Sequence, residues 1–226
     1  PGNYTAYERE FMGWRPLIEL TEPCVLTIPC FAEGGYGYKI VNDANPSEYY
    51  VLENRQKMGW DDYIGRRCTG LQVTHVDYSS TAWSGNTVNT NASHQRMTII
   101  AANNSYAGSN AAKTMAEYRA TLAGNLFPGS SDVHELTDDT TPASVVFTGG
   151  YMGKPICEIV EGDDGIVTLK FRPLGTLTQP VNLRAEDVGE SHFAAAWDIV
   201  PEAECYRVEL WADGDLLLRR DRVACA

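Results

Sequence analysis

Tyr49-Tyr-Val-Leu-Glu53 and Leu71-Gln-Val-Thr-His-Val76 decide the fold class. Both are short runs of β-branched and aromatic residues, the composition that fits a pleated surface. Outward from this pair the pattern recurs at Val25–Ile28, Tyr38–Val41 and Met97–Ala101. Gly, Pro, Asn and Asp separate the runs, and Phe31-Ala-Glu-Gly-Gly35 and Asn42-Asp-Ala-Asn-Pro46 carry turn chemistry. Further along come Val145–Phe147, Ile156–Val160 and Ile166–Phe171, the last two joined by the hairpin signal Glu161-Gly-Asp-Asp-Gly165. Two helices are expected. Tyr4–Gly13 reads as a short one ended by glycine, and in Asn110–Ala123 the residues Ala112, Met115, Tyr118, Ala120 and Leu122 recur near helical spacing before Gly124. The spacing predicts a mainly β chain: a β-sandwich subdomain over residues 1–172 with one or two short helices.

Residues 173–180 read as a linker. Beyond it, Ser191–Trp197 and Cys205–Trp211 alternate apolar and polar residues, with Phe193, Ala195 and Trp197 on one face and Tyr206, Val208 and Leu210 on another. A complete sandwich domain takes about 100 residues, so residues 181–226 are expected to form only part of one, with an apolar face left wet.

The chain has 226 residues, 43% hydrophobic and 21% charged, enough to bury a sizeable core. No stretch reaches the roughly 18–20 apolar residues of a membrane span. Eighteen basic against thirty acidic residues give a formal charge of −12 and a pI near 4.7. That balance repels polyanions, so nucleic acid is not an expected partner. The chain opens on Pro1 without an apolar leader, as expected if a targeting segment has been removed or if this is an internal piece of a longer protein. Its six cysteines (Cys24, Cys30, Cys68, Cys157, Cys205, Cys225) show no C-x-x-C spacing, which argues against a thiolate zinc site. An even count suits disulfides in an exported protein, and free buried thiols suit it equally.

The hydrolytic signatures are missing. There is no H-E-x-x-H, no G-x-S-x-G, no phosphate loop and no dinucleotide fingerprint, and His75, His94, His134 and His192 are scattered. No residue is assigned a catalytic role. The densest polar group is Thr74-His-Val-Asp77 followed by Asn86, Asn89, His94 and Arg96. Asp77, Asn86 and Asn89 would be the oxygen ligands of a calcium ion, which needs 6 to 8 of them. One carboxylate is little charge for such a cage, and a loop-capping Asp77 outweighs it. His75 reads as a hydrogen-bonded core histidine. The acidic loop Gly129–Ala143 lacks the EF-hand register and reads as solvated. Trp14, Tyr36, Tyr38, Tyr49, Tyr50, Trp60 and Tyr63 could line a groove for sugar or peptide, but at strand spacing they read as core.

Three segments carry a resemblance: Pro1-Gly-Asn-Tyr-Thr-Ala-Tyr-Glu-Arg-Glu-Phe-Met-Gly-Trp14; Glu48-Tyr-Tyr-Val-Leu-Glu-Asn-Arg-Gln-Lys-Met-Gly-Trp-Asp61 with His75-Val-Asp-Tyr78; and Leu126-Phe-Pro-Gly129. In order and spacing, residues 1–172 resemble the region after the zinc site in secreted metallopeptidases of the immune inhibitor A type. The resemblance implies a secreted or cell-surface protein whose β-rich subdomain braces an upstream catalytic domain. That domain would hold the zinc and act on protein substrates. Residues 1–13 would be the last helix of that domain, with Tyr4, Tyr7 and Glu8 helping to wall the substrate cleft. The sequence departs from the family pattern at Ala101-Ala-Asn103 and at Gly124-Asn-Leu126, where acidic residues are common. The tail resembles a fibronectin type III module, with Phe193–Trp197 and Ala203–Leu210 as its paired second and third strands. The expected function is therefore the non-catalytic part of a zinc metallopeptidase. The competing expectation is a stand-alone extracellular module that binds glycans or peptides.

Overall fold

The computed structural model describes residues 2–62, 68–105, 114–172, 180–200, 205–213 and 215–224. The chain divides into two compact units, residues 1–174 and 175–226. Residues 173–179 of the expected linker lie outside the described residues.

The first unit holds strands β1 (Ile18–Glu19), β2 (Cys24–Ile28), β3 (Tyr38–Asn42), β4 (Asn45–Arg55), β5 (Gly70–Asp77), β6 (Met97–Ile99), β7 (Val145–Val146), β8 (Gly150–Tyr151), β9 (Ile156–Glu161) and β10 (Val167–Phe171). Its main sheet runs β1-β3-β4-β5-β6, and a second sheet runs β2-β10-β9. One apolar core joins them: Ile40, Tyr50, Leu52, Leu71 and Val73 from the first sheet and Ile28, Ile159, Val167, Leu169 and Phe171 from the second. The fold is mainly β, as the runs around β4 and β5 predict. β4 is central and buried on both faces from Glu48 to Arg55. Successive side chains therefore alternate between two apolar layers. Tyr50 and Leu52 enter the sandwich core, while Tyr49 and Val51 enter a smaller cluster with Ala6, Tyr7, Phe31 and Val76 on the opposite face. β9 and β10 close as the expected hairpin, with Gly165 at a φ of 74° and its N–H donating to Gly162 O.

Helix α1 (Ala6–Phe11) is shorter than the expected Tyr4–Gly13 because Thr5 and Glu8 form a capping box that starts it. A second helix, α2 (Ser80–Ser84), has no counterpart in the sequence reading; the Ser79 hydroxyl caps it after β5. Helix α3 (Met115–Ala123) begins at a Thr114/Glu117 capping box and ends at Gly124, while residues 110–113 of the longer expected helix lie outside the described residues.

The second unit pairs β11 (Arg184–Glu186) with β12 (Ala194–Ala196), and β13 (Cys205–Ala212) with β14 (Asp215–Ala224). The expected pairing of the Phe193–Trp197 and Ala203–Leu210 strands is therefore corrected, since each pairs with its own hairpin neighbour. Trp197 and Tyr206 meet edge to face at 5.1 Å, both half-buried. Leu183 (74% exposed) and Leu217 (61%) lie in water.

The aromatic reading needs correction as well. Tyr49 and Tyr50 are core, but Trp14 (62% exposed), Tyr36 (45%) and Trp60 (69%) are not. None of these three sits on a strand; they occupy the turns after α1 and the short 3-10 turns. Tyr63 lies outside the described residues. Cys24, Cys30, Cys68 and Cys157 are free thiols. Burial raises the pKa of Cys24, Cys68 and Cys157, which favours the protonated thiol over the nucleophilic thiolate.

Candidate functional site

A cleft of about 920 Å³ opens beside β6, bounded by the segment from Asn89 to Ser105 on one side and by Pro142 to Phe147 on the other. His75 on β5 lies at its wall. Its position follows from strand alternation: Leu71, Val73 and His75 point to one side of the sheet, and His75 pairs across the ladder with Tyr50. The His75 ring meets Tyr50 edge-on at 5.4 Å and stacks on Phe147 at 5.1 Å, and Phe147 stacks in turn on His94 at 3.8 Å.

Glu48, fully buried, sets the chemistry of His75. Its Oε1 accepts from His75 Nε2 at 2.8 Å and from Phe147 N–H at 2.6 Å; its Oε2 accepts from Thr148 N–H at 3.0 Å and from Asn42 Nδ2 at 3.1 Å. Burial pushes the Glu48 carboxyl up, but the backbone donors and His75 outweigh it and hold the group below its ordinary 4.5. Burial lowers the His75 pKa below 6.5 despite the Glu48 charge, so the ring is neutral at pH 7. The ionised carboxylate thus fixes the proton on Nε2 and leaves Nδ1 as an acceptor. Among the described residues no hydroxyl or thiol hydrogen-bonds to that nitrogen. The arrangement can accept a hydrogen bond and holds no activated nucleophile.

The three candidate calcium ligands do not act together. Asp77 Oδ2 accepts from Arg96 Nη1 at 2.5 Å and from His94 Nε2 at 2.7 Å, so its charge is already countered. Both ends of the Asn89 amide are taken by the Met97 backbone. Asn86 takes a left-handed φ of 52° in the turn after α2. Among the described residues no three His, Cys, Asp or Glu side chains converge to hold a metal ion. They do not fit a zinc centre, and no hydrolytic step is assigned to them.

A second polar group fixes α1 to the sheet. Arg55 Nη2 and Nε reach Glu53 Oε1 at 3.0 and 3.1 Å, and its Nη1 reaches Asp61 Oδ2 at 2.7 Å, with all three residues buried. Glu53 Oε2 accepts from Ala6 N–H at 2.6 Å, and Asp61 Oδ1 accepts from Asn3 N–H at 2.7 Å. The carboxylates thus cap the N-terminal segment from below. Burial raises the Glu53 pKa against the pull of Arg55, whereas for Asp61 the Asn3 and Arg55 donors overcome burial and lower it.

Of the residues expected to wall a substrate cleft, Tyr7 is buried against Phe11 and Trp83, and burial pushes its hydroxyl up to about 12. Glu8 closes the helix cap, and Tyr4 (55% exposed) packs edge-on against Trp14 at 5.3 Å. Tyr4 is the exposed member of the three. Sequence reasoning missed Glu48, Glu53, Arg55 and Asn125 as organising residues. The signal was available for the first three: charges flanking the apolar run Tyr49–Leu52 within one strand. Compared with family models, with curated proteins and with solved structures, the chain finds no match in any of the three.

Proposed function

We propose that residues 1–172 are a non-catalytic β-sandwich unit of a secreted zinc metallopeptidase, bracing a catalytic domain through the outward face of α1. One observation carries the reading. The helix is pinned to the sheet by the buried Glu53–Arg55–Asp61 group, yet Tyr4 (55%), Phe11 (64%) and Trp14 (62%) on and beside it face solvent. Large aromatics left exposed on and beside a well-anchored element suit contact with another protein surface. The order and spacing of the Pro1–Trp14, Glu48–Tyr78 and Leu126–Gly129 segments supply the family. In this reading the zinc and the general base belong to the partner domain, and Tyr4 is the residue nearest its cleft.

The competing glycan-binding reading would use the same aromatics. Tyr4 and Trp14 meet at 85°, so as a pair they present no flat platform for a sugar ring. Casein digestion separates the cases. Residues 1–226 are expected to be inactive with added zinc, and a polypeptide extended through the upstream coding region is expected to be active. In that longer protein, replacing Phe11 and Trp14 together by Ser should lower activity and the melting temperature. Zinc-dependent turnover by residues 1–226, or full activity and stability in the doubly substituted long form, would contradict the reading.

A further inference from the structure

β6 is an edge strand, and antiparallel pairing with β5 uses its backbone groups at alternate residues. Ile100 N–H donates to Val73 O at 2.9 Å and Asp77 N–H donates to Arg96 O at 2.8 Å, in the register that sets Thr98 opposite His75. The ladder therefore takes Arg96, Thr98 and Ile100. Met97 and Ile99 direct their N–H and C=O groups away from the sheet, on the side where the cleft lies. At Met97 the Asn89 side chain stands in for a neighbouring strand, its Oδ1 accepting from Met97 N–H at 3.0 Å and its Nδ2 donating to Met97 O at 2.7 Å. One step along, Ile99 has no such partner among the described residues. Its donor and acceptor stand open beside the cleft.

Two independent features point the same way. Asn125, only 9% exposed, lines the same cleft, and its buried Oδ1 has no hydrogen-bond donor. An unmatched buried carbonyl is costly unless something supplies the donor. Among the described residues the lining also contains no Asp, Glu, Lys or Arg, although the chain as a whole carries −12. Met97, Ile99, Val145 and Phe147 provide apolar wall, and Asn104 and Asn125 provide amides.

We propose that the cleft along β6 binds an uncharged, extended polypeptide segment, which joins the sheet as a further strand through Ile99 and continues the line that the Asn89 side chain begins. Strand addition obtains its affinity from main-chain hydrogen bonds and its selectivity from pockets for alternate side chains. The open pair at Ile99 has the spacing of a peptide backbone. A charged guest would find no counter-charge among the described lining residues and would lose its hydration. This role goes beyond bracing and does not depend on it.

The test begins with a displayed library of random ten-residue peptides selected on the full chain, with the enriched peptides then synthesised. Uncharged sequences alternating apolar and small residues are expected to dominate. Binding should slow exchange of the Ile99 amide by more than tenfold. Ile99→Pro removes the outward donor while sparing the β5 ladder, and an edge strand tolerates proline there. It should weaken binding by roughly tenfold, the worth of one interface hydrogen bond. A Lys placed in the middle of an enriched peptide should abolish binding. Failure to enrich any peptide, predominantly charged winners, or winners that leave the Ile99 amide unprotected would each overturn the proposal. So would maltohexaose protecting that amide where the peptides do not. The exchange measurement on the unaltered chain decides the matter even if Ile99→Pro does not fold.

Discussion

Replacing Arg55 by Met would test the anchoring of α1 most sharply. Met is close to the alkyl part of Arg in volume, so packing beside Phe31 changes little while the cation is lost. Glu53 and Asp61, each 1% exposed, would then face one another as buried carboxylates without their shared partner. Removing one member of a buried ionic group costs about 3–5 kcal/mol. With a urea dependence of about 2 kcal/mol per molar, the midpoint for the first unit should fall by roughly 1.5–2.5 M at pH 7, followed by tryptophan fluorescence. The deficit should also narrow on acidification. Burial already raises Glu53 above its ordinary 4.5, and loss of Arg55 removes the chief opposing influence. A group raised in the folded state stabilises the fold below its unfolded pKa and loses that contribution as pH rises. The variant should therefore recover relative to the parent between pH 7 and pH 5. A midpoint within 0.5 M of the parent (about 1 kcal/mol at that slope), or a deficit constant with pH, would refute this account of the cluster.

Three further outcomes follow from the same geometry. Asn54 donates to Ile28 O at 2.7 Å and to Gly165 O at 2.8 Å, so Asn54→Ala strands one buried and one half-buried carbonyl and should cost roughly 1–3 kcal/mol in urea unfolding. Gly70 sits at a φ of 119° with Phe127 O 2.3 Å from where a Cβ would stand; Gly70→Ala should lower the thermal midpoint strongly, and an unchanged melt would contradict the described approach of the two segments. The folded His75 pKa lies below 6.5, so the unfolded chain takes up that proton first. Stability from His75 is then present above about pH 6.5 and lost as pH falls through the folded value. Proton NMR of the ring should show a midpoint below 6.5, and a midpoint above it would mean that the Glu48 charge, not burial, dominates.

Much of the fold was legible because strand alternation is a local property. Tyr49 through Glu53 and Leu71 through Val76 carry their strand character in their own composition, and Gly162–Gly165 carries its turn. The exposure of Trp14 and Trp60 was not legible, since an aromatic residue in a turn reads the same whether or not a second layer covers it. The site was harder still. A charge inside the β4 run marks Glu48 in sequence, but its role takes shape only when His75, Phe147 and Thr148, up to 100 residues away, close around it. Asn125 stands out only once its wall of the cleft is built and its carbonyl is seen to lack a donor. The unused edge at Ile99 likewise depends on the register with β5, which no local pattern reports.

The bracing role is tested most directly by the coding sequence upstream of Pro1. The account predicts an H-E-x-x-H helix there, in frame with Pro1. An upstream reading frame without that motif would contradict it.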